Sequence, residues 1–129
     1  MSNEKEIVVE YYYSDYGVDV NAGMFLAREV EAKCKHGIIL MHGNDLTAPV
    51  TSKDTNRMSA LYQVLSNRKL NGDTTLYLTF QPDLDMAKLI VDSGVSRVVY
   101  RRRQIPSDGV TWLLNNFVTM LQYPDRLNF

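Results

Sequence analysis

The sequence predicts a single α/β domain in which helices pack on the faces of one mixed β-sheet. The chain has 129 residues, which is enough for one hydrophobic core and too few for two. Segments with strand periodicity alternate with segments with helical periodicity, in the order β, α, β, α, β, α, β, α. The clearest of these segments, residues 73–100, predicts a strand, a helix and a second strand parallel to the first.

The first half of the chain supplies two strands and two helices. Residues 7–13 (IVVEYYY) are β-branched and aromatic, which favours a strand. Its tyrosine rings would lie in the core and at an interface, or would form a stacking platform for bases. Apolar residues at helical spacing predict a helix from Asn21 to Lys35, and the run GIILM at residues 37–41 predicts a buried strand. Ser52 is expected to cap the next helix.

The central unit has a turn or stop signal at each of its junctions. Leu76, Leu78 and Phe80 are spaced two residues apart, and this spacing is the period of a strand. Pro82 fits the first helical position, and the aspartates that follow it favour the positive end of the helix dipole. Gly94 is expected to end the helix, and a valine-rich strand follows up to Tyr100.

The C-terminal part is predicted to form a turn followed by an amphipathic helix. Residues 106–109 (PSDG) have the composition of a turn with a helix cap. Apolar side chains then recur at helical spacing from Val110 to Leu121, which predicts a helix over that range. Trp112 and Met120 lie beside the apolar stripe, where they either widen it into a partner surface or join the core.

The composition argues against several classes of protein. The net charge is −1, so no overall field attracts nucleic acid or an anionic membrane. The single cysteine, Cys34, rules out an intrachain disulfide and any zinc site within the chain that needs two thiolates. No apolar run approaches transmembrane length, and no apolar signal segment follows Met1. We therefore expect a cytoplasmic protein without membrane or nucleic-acid partners.

The central unit also carries a more specific sequence pattern. Residues 75–79 have the sequence TLYLT, residues 82–86 have PDLDM, and residues 97–100 have RVVY. This pattern resembles the zinc-dependent cytidine and deoxycytidylate deaminases. In that family a strand similar to TLYVT leads into Pro-Cys-x-x-Cys at a helix start, and the helix continues through a glycine into a strand ending Arg-Val-Val-Tyr. The match has no gap, and it implies a cytidine-deaminase-like fold.

The resemblance also implies that the residues carrying the family's chemistry are replaced. In the family a His and two Cys hold zinc, and a Glu two residues after the His shuttles protons to and from the zinc-activated water. Here the two cysteine positions are Asp83 and Met86. Residues 55–61 (TNRMSAL) align with His-Ala-Glu-Met-Asn-Ala-Leu, which places Thr55 at the His and Arg57 at the Glu. These donors suit zinc poorly, and arginine does not act as a base, so we predict a non-enzyme without metal or cofactor.

Two functions remain open for an inactive relative of these deaminases, and either would suit a phage or mobile element. The first is a module that binds a nucleotide as a signal or sequesters it. The resemblance places a sugar-binding position at Asn44, and Arg57 with the cluster Arg101, Arg102 and Arg103 would contact phosphates, although such a cluster equally fits a solvated strand end. The second is a protein-interaction factor that keeps the fold without ligand binding. We also expect a homo-oligomer, because deaminase relatives commonly assemble and tyrosine and tryptophan suit interfaces.

The two helix starts that zinc would bridge are expected to be joined by a polar contact. If the family geometry holds, Arg57 and Asp83 lie at these two starts, and the planar guanidinium can pair with the carboxylate. Alternatively, Arg57 points outward to receive a phosphate, and Asp83 is a simple first-turn carboxylate. A metal site rebuilt from His42, Asp83 and Asp85 is a weaker alternative, because first-turn carboxylates need no metal to explain them.

Overall fold

The structure, a computed structural model, describes residues 17–42, 49–66, 73–101 and 106–123. The strand expected at residues 7–13 lies outside the described residues. Helices and strands alternate along the chain as α1 (Gly17–Cys34), β1 (Ile38–His42), α2 (Arg57–Ser66), β2 (Thr74–Leu78), α3 (Leu84–Ser93), β3 (Arg97–Tyr100), α4 (Asp108–Asn115) and β4 (Thr119–Gln122).

The four strands form one mixed sheet in the order β1-β2-β3-β4. Strand β1 runs antiparallel to β2, whereas β2, β3 and β4 are parallel to one another. In the register of the sheet, Leu76 lies between Leu40 and Val98. The predicted strand–helix–strand unit is therefore confirmed as β2-α3-β3, with its two strands parallel and adjacent.

The sheet is covered by helices on both faces, because successive side chains of a strand point to opposite sides. On one face, α2, α3 and α4 pack on a core that includes Leu40, Leu76 and Val98, which are 0% exposed. On the other face, α1 packs on a second core that includes Tyr77 and Val99. The result is a three-layer α/β domain. None of the helices among the described residues is long and apolar enough to cross a membrane.

Glycines fix two of the junctions around α3. Gly94 ends the helix as the sequence predicts: its φ of 78° is left-handed, and its N–H donates to the Val91 carbonyl over 3.1 Å. Gly109, at the start of α4, lies so close to the segment before α3 that an added Cβ would be 2.3 Å from the Pro82 carbonyl oxygen. The start of α4 is thus packed directly against the start of α3.

The helix α2 begins later than the sequence predicts. Ser52 is not its cap, since the helix starts at Arg57 and the Asn56 Oδ1 accepts from the Ser59 N–H over 2.9 Å. The Ser52 hydroxyl instead accepts from the Asp54 N–H and donates to the Gln63 side chain. Both serine and asparagine favour the cap position, so the composition of this segment alone did not choose between them.

The C-terminal helix is shorter than predicted, and a fourth strand replaces its second half. Helix α4 ends at Asn115, and the chain turns through Phe117, whose φ is 64°, before β4 pairs with β3. Leu121 is buried on the strand, whereas Leu114 is 54% exposed and Phe117 is 95% exposed. The three-residue spacing of Val118 and Leu121 fits a helix stripe, but in the structure these side chains lie on opposite faces of the sheet, and pairing with the open edge of β3 selects the strand.

Candidate functional site

The candidate site lies where α2 and α3 begin, on the sheet face that these two helices cover. Thr55 and Arg57 stand at the start of α2, and Asp83 and Met86 stand at the start of α3. Phe80, two residues after the end of β2, contacts Arg57 and so connects the start of α2 to the segment that leads into α3.

The Arg57 guanidinium stacks on the ring of Phe80. Its Cζ lies 4.1 Å from the ring centroid, within the range of a cation–π contact. The Arg57 side chain is exposed, whereas Phe80 is 1% exposed. The guanidinium therefore covers a buried aromatic ring and keeps its other face toward solvent. We call this pair the Arg57–Phe80 platform.

The expected contact between Arg57 and Asp83 is not formed, so that prediction is wrong. Among the described residues no ion pair joins the two side chains. Asp83 is instead the N-cap of α3, and its Oδ1 accepts from the Met86 N–H over 2.9 Å. The Asp83 carboxylate thus already binds the backbone at the start of α3, where the helix dipole is positive. The Arg57 guanidinium lies on the face of the Phe80 ring instead.

The Met86 side chain packs in the apolar core. Its side chain is 1% exposed and belongs to the same apolar cluster as Phe80, Ile90 and Leu113. A thioether in this environment contributes packing and no charge. Zinc sites in proteins use thiolate, imidazole and carboxylate donors, so the set formed by Thr55, Asp83 and Met86 does not fit a zinc ion. Within the described residues, no group of three or more His, Cys, Asp or Glu side chains could hold a metal.

The alternative metal site at His42, Asp83 and Asp85 is not assembled. Strand β1 is antiparallel to β2, so His42 pairs with Thr74 at the beginning of β2. Asp83 and Asp85 follow the other end of that strand. The length of β2, roughly 13 Å at the rise of a strand, therefore separates the histidine from the two carboxylates.

His36 is a site residue that the sequence analysis missed. It is 3% exposed, its Nε2 donates to the Asp54 carbonyl over 3.1 Å, and its ring meets the Phe80 ring edge-to-face at 6.2 Å. Burial lowers the pKa of His36 below 6.5, and the positive charge of Arg57 acts in the same direction. The hydrogen bond to Asp54 and the charges of Asp54 and Glu31 oppose this lowering of the pKa. Its place directly before a buried strand was the signal that could have located it at this end of the sheet.

Asp54 organises the loop that delivers Thr55 and Arg57. Its Oδ1 accepts from the Asn56 N–H over 2.9 Å, and its Oδ2 accepts from the Gln63 side chain over 3.0 Å. Its backbone carbonyl also holds His36, which ties the loop to the start of β1. Thr55 itself is exposed, so its hydroxyl is available at the surface beside the platform.

The remaining predicted residues do not lie at this place or are not described. Arg101 is 6% exposed, and its Nη1 lies 3.5 Å from the Oε1 of Glu31 in α1. Arg101 thus pairs with α1, which packs on the opposite face of the sheet from α2 and α3. Asn44, Arg102 and Arg103 lie outside the described residues.

The chemistry that this surface offers is recognition of an anion or a planar ring. The guanidinium has donors for a phosphate and a flat face for stacking, and it stands at the N-terminus of α2. Arg57 remains protonated in proteins, so it does not replace a glutamate as a proton shuttle.

The fold is shared with solved deaminases. No protein-family model and no curated protein sequence matches this chain. Among solved structures, it is similar to the dCMP deaminase from the cyanophage S-TIM5 in complex with dCMP and dUMP, with a TM-score of 0.64 and 20% identity over 80% of this chain and 95% of that chain.

Two further structures have the same fold. One is a diaminohydroxyphosphoribosylaminopyrimidine deaminase/5-amino-6-(5-phosphoribosylamino)uracil reductase from Thermotoga maritima, with a TM-score of 0.55 and 18% identity over 81% of this chain and 35% of that chain. The other comes from work on tRNA:A34 deaminases, with a TM-score of 0.52 and 15% identity over 82% and 95% of the two chains. The expected cytidine-deaminase-like α/β fold is therefore confirmed.

Proposed function

We propose that this chain is a deaminase-fold protein that does not deaminate and that binds a nucleotide at the Arg57–Phe80 platform. The observation that carries the proposal is the exposed guanidinium stacked 4.1 Å above the buried Phe80 ring. It lies at the position where the resemblance to the deaminases expects the proton-shuttling glutamate. In this proposal, a binding function has replaced the catalytic one at the same place in the fold.

The loss of catalysis is supported by the environment of each replaced residue. Met86 is packed in the apolar core, and Asp83 caps its own helix. Restoring a metal would require the Met86 thioether to leave the core and the Asp83 carboxylate to leave the Met86 N–H. Arg57 would place a permanent positive charge beside the dication, which opposes its binding.

Nucleotide binding is supported by the electrostatics of the start of α2. Backbone N–H groups at a helix N-terminus favour negative charge, and the start of α2, which carries Arg57, is capped by the neutral side chain of Asn56 and has no carboxylate in its first turn. Stacking on Phe80 favours one orientation of the guanidinium, so less side-chain entropy is lost when it binds a phosphate. The cyanophage protein with this fold was crystallised with dCMP and dUMP, which makes pyrimidine nucleoside monophosphates the first ligands to test.

The test is calorimetric titration of the zinc-free protein with dCMP and dUMP, with release of ammonia measured on the same samples. We expect binding without ammonia release, and loss of binding in Arg57→Ala. The matched control is Lys33→Ala, which removes one exposed positive charge from α1 on the other face of the sheet and should leave binding unchanged. Equal affinities of the Arg57→Ala variant and the parent protein would contradict the proposal.

A second candidate function is that of a protein-interaction factor. It is favoured by three exposed apolar side chains around the end of α4: Trp112 (39% exposed), Leu114 (54%) and Phe117 (95%). Single exposed apolar residues are ordinary, but three around one helix end suit a contact surface. Native mass spectrometry separates the two candidates, since a carried nucleotide supports the first. The second gains support if neither monophosphate binds at millimolar concentration.

A further inference from the structure

A groove of about 420 Å³ runs along the outer side of α1. Residues 25, 28, 29 and 32 recur at the spacing of one helix face, so they form a single stripe on that helix. The side chains of this stripe are exposed, and beneath them the pair formed by Glu31 and Arg101 closes the floor of the groove. The groove is lined by Phe25, Arg28, Glu29, Glu31, Ala32 and Arg101.

We propose that this groove is the interface with a second copy of the chain, in which the two α1 helices pack antiparallel about a two-fold axis that passes between residues 28 and 29. Such an axis places Phe25 of each copy against Ala32 of the other. It also places Arg28 of each copy against Glu29 of the other. Both contacts occur twice, as an isologous interface requires.

The shapes of the side chains support this arrangement. Phe25 is 61% exposed, which is an unusual position for a large aromatic ring on an otherwise charged helix face. Ala32 lies two helical turns further along the stripe, roughly 10 Å down the helix axis, and its small side chain leaves room beside it. In the antiparallel pair the large residue of each helix therefore meets the small residue of the other.

The charges support the same axis. Within the part of the chain that the structure describes, neither Arg28 nor Glu29 has an ion-pair partner. An antiparallel pair about the proposed axis sets each guanidinium opposite a carboxylate. A parallel pair would instead set Arg28 against Arg28 and Glu29 against Glu29, which is repulsive. The stripe is thus complementary to itself in one orientation.

A charge swap tests the pairing. Arg28→Glu alone and Glu29→Arg alone each create two like-charge contacts and should raise the dimer Kd by roughly tenfold or more. The double variant Arg28→Glu/Glu29→Arg restores two opposite-charge contacts and should recover most of the affinity. Lys33→Glu, which makes the same change on α1 outside the groove, is the control and should leave the Kd unchanged. Sedimentation equilibrium measures the Kd, and circular dichroism confirms that each variant is folded.

Disulfide formation tests the axis independently of charge. In a Cys34→Ser background, mild oxidation of a mixture of Phe25→Cys and Ala32→Cys chains should give a cross-linked dimer, because these positions face each other. Either variant alone should not cross-link, since its own cysteines would lie roughly 10 Å apart along the helices, beyond disulfide reach. A monomer at high micromolar concentration would overturn the proposal, as would a dimer whose Kd is the same in the parent protein and in the two charge-reversal variants. Nucleotide binding is not required for any of these results, so they stand apart from the proposed function.

Discussion

Replacing Arg57 by alanine is expected to lower the free energy of unfolding by about 0.5–1 kcal/mol, through loss of its contact with Phe80. The value follows from the geometry: the guanidinium is 4.1 Å from the ring centroid, but its outer face is exposed to solvent. Solvent exposure places such a contact at the low end of the cation–π range. Phe80→Leu keeps the buried position apolar but removes ring atoms and the contacts with Arg57 and His36, so it should cost roughly 1–3 kcal/mol.

A double-mutant cycle isolates the contact. Urea denaturation of the parent protein, Arg57→Ala, Phe80→Leu and the double variant should give a coupling energy of about 0.5–1 kcal/mol. A second cycle pairs Arg57→Ala with Asp83→Ala. Asp83→Ala should cost about 1 kcal/mol on its own, because it removes the cap on the Met86 N–H, and its coupling to Arg57 should be within about 0.5 kcal/mol of zero.

The comparison of the two cycles decides between the two partners of Arg57. A coupling to Asp83 larger than the coupling to Phe80 would refute the reasoning, because it would mean that the guanidinium pairs with the carboxylate in solution. Lys33→Ala combined with Phe80→Leu is the control cycle. These two side chains are on opposite faces of the sheet, so their effects should add.

Two further predictions concern residues that the structure places in unusual environments. The pKa of His36 is lowered below 6.5 in the folded chain. At pH values between that lowered pKa and 6.5, the unfolded chain therefore binds more protons than the folded chain. The free energy of unfolding should fall as the pH falls through 6.5. His36→Gln should lose this component in urea titrations from about pH 7.5 to about pH 5.5, and an unchanged pH dependence would count against the buried neutral ring. Phe117→Asn should stabilise the protein by about 0.5–1 kcal/mol in thermal unfolding, because Phe117 has a φ of 64° and is 95% exposed. A lower Tm would show that its ring makes a contact that compensates for the backbone strain.

The centre of the fold was predictable because local signals and long-range pairing agree there. The alternation in β2, the proline before α3 and the glycine after it all specify the same unit, and that unit is a strand–helix–strand crossover. The end of the chain was not predictable in this way. Val118 and Leu121 have the spacing of a helix stripe, yet they lie on opposite faces of the sheet, and only pairing with the edge of β3 selects the strand.

The sequence pattern put Thr55 and Arg57 near the start of one helix and Asp83 and Met86 at the start of another, although α2 begins at Arg57 and not after Ser52. The contact expected between Arg57 and Asp83 is not formed. The partner of Arg57 depended on two features that the spacing of residues in the sequence does not reveal. They are the capping of α3 by Asp83 and the approach of the Phe80 ring to α2. Charge complementarity alone favoured the carboxylate, and the structure shows that the carboxylate was already bound.

The most direct test of the account is the metal content of the purified protein, measured by inductively coupled plasma mass spectrometry after removal of any affinity tag and dialysis. We predict less than roughly one zinc in ten chains, because the Met86 side chain packs in the core and the Asp83 carboxylate caps its own helix. A content of about one zinc per chain that survives dialysis, together with ammonia release from dCMP, would contradict it.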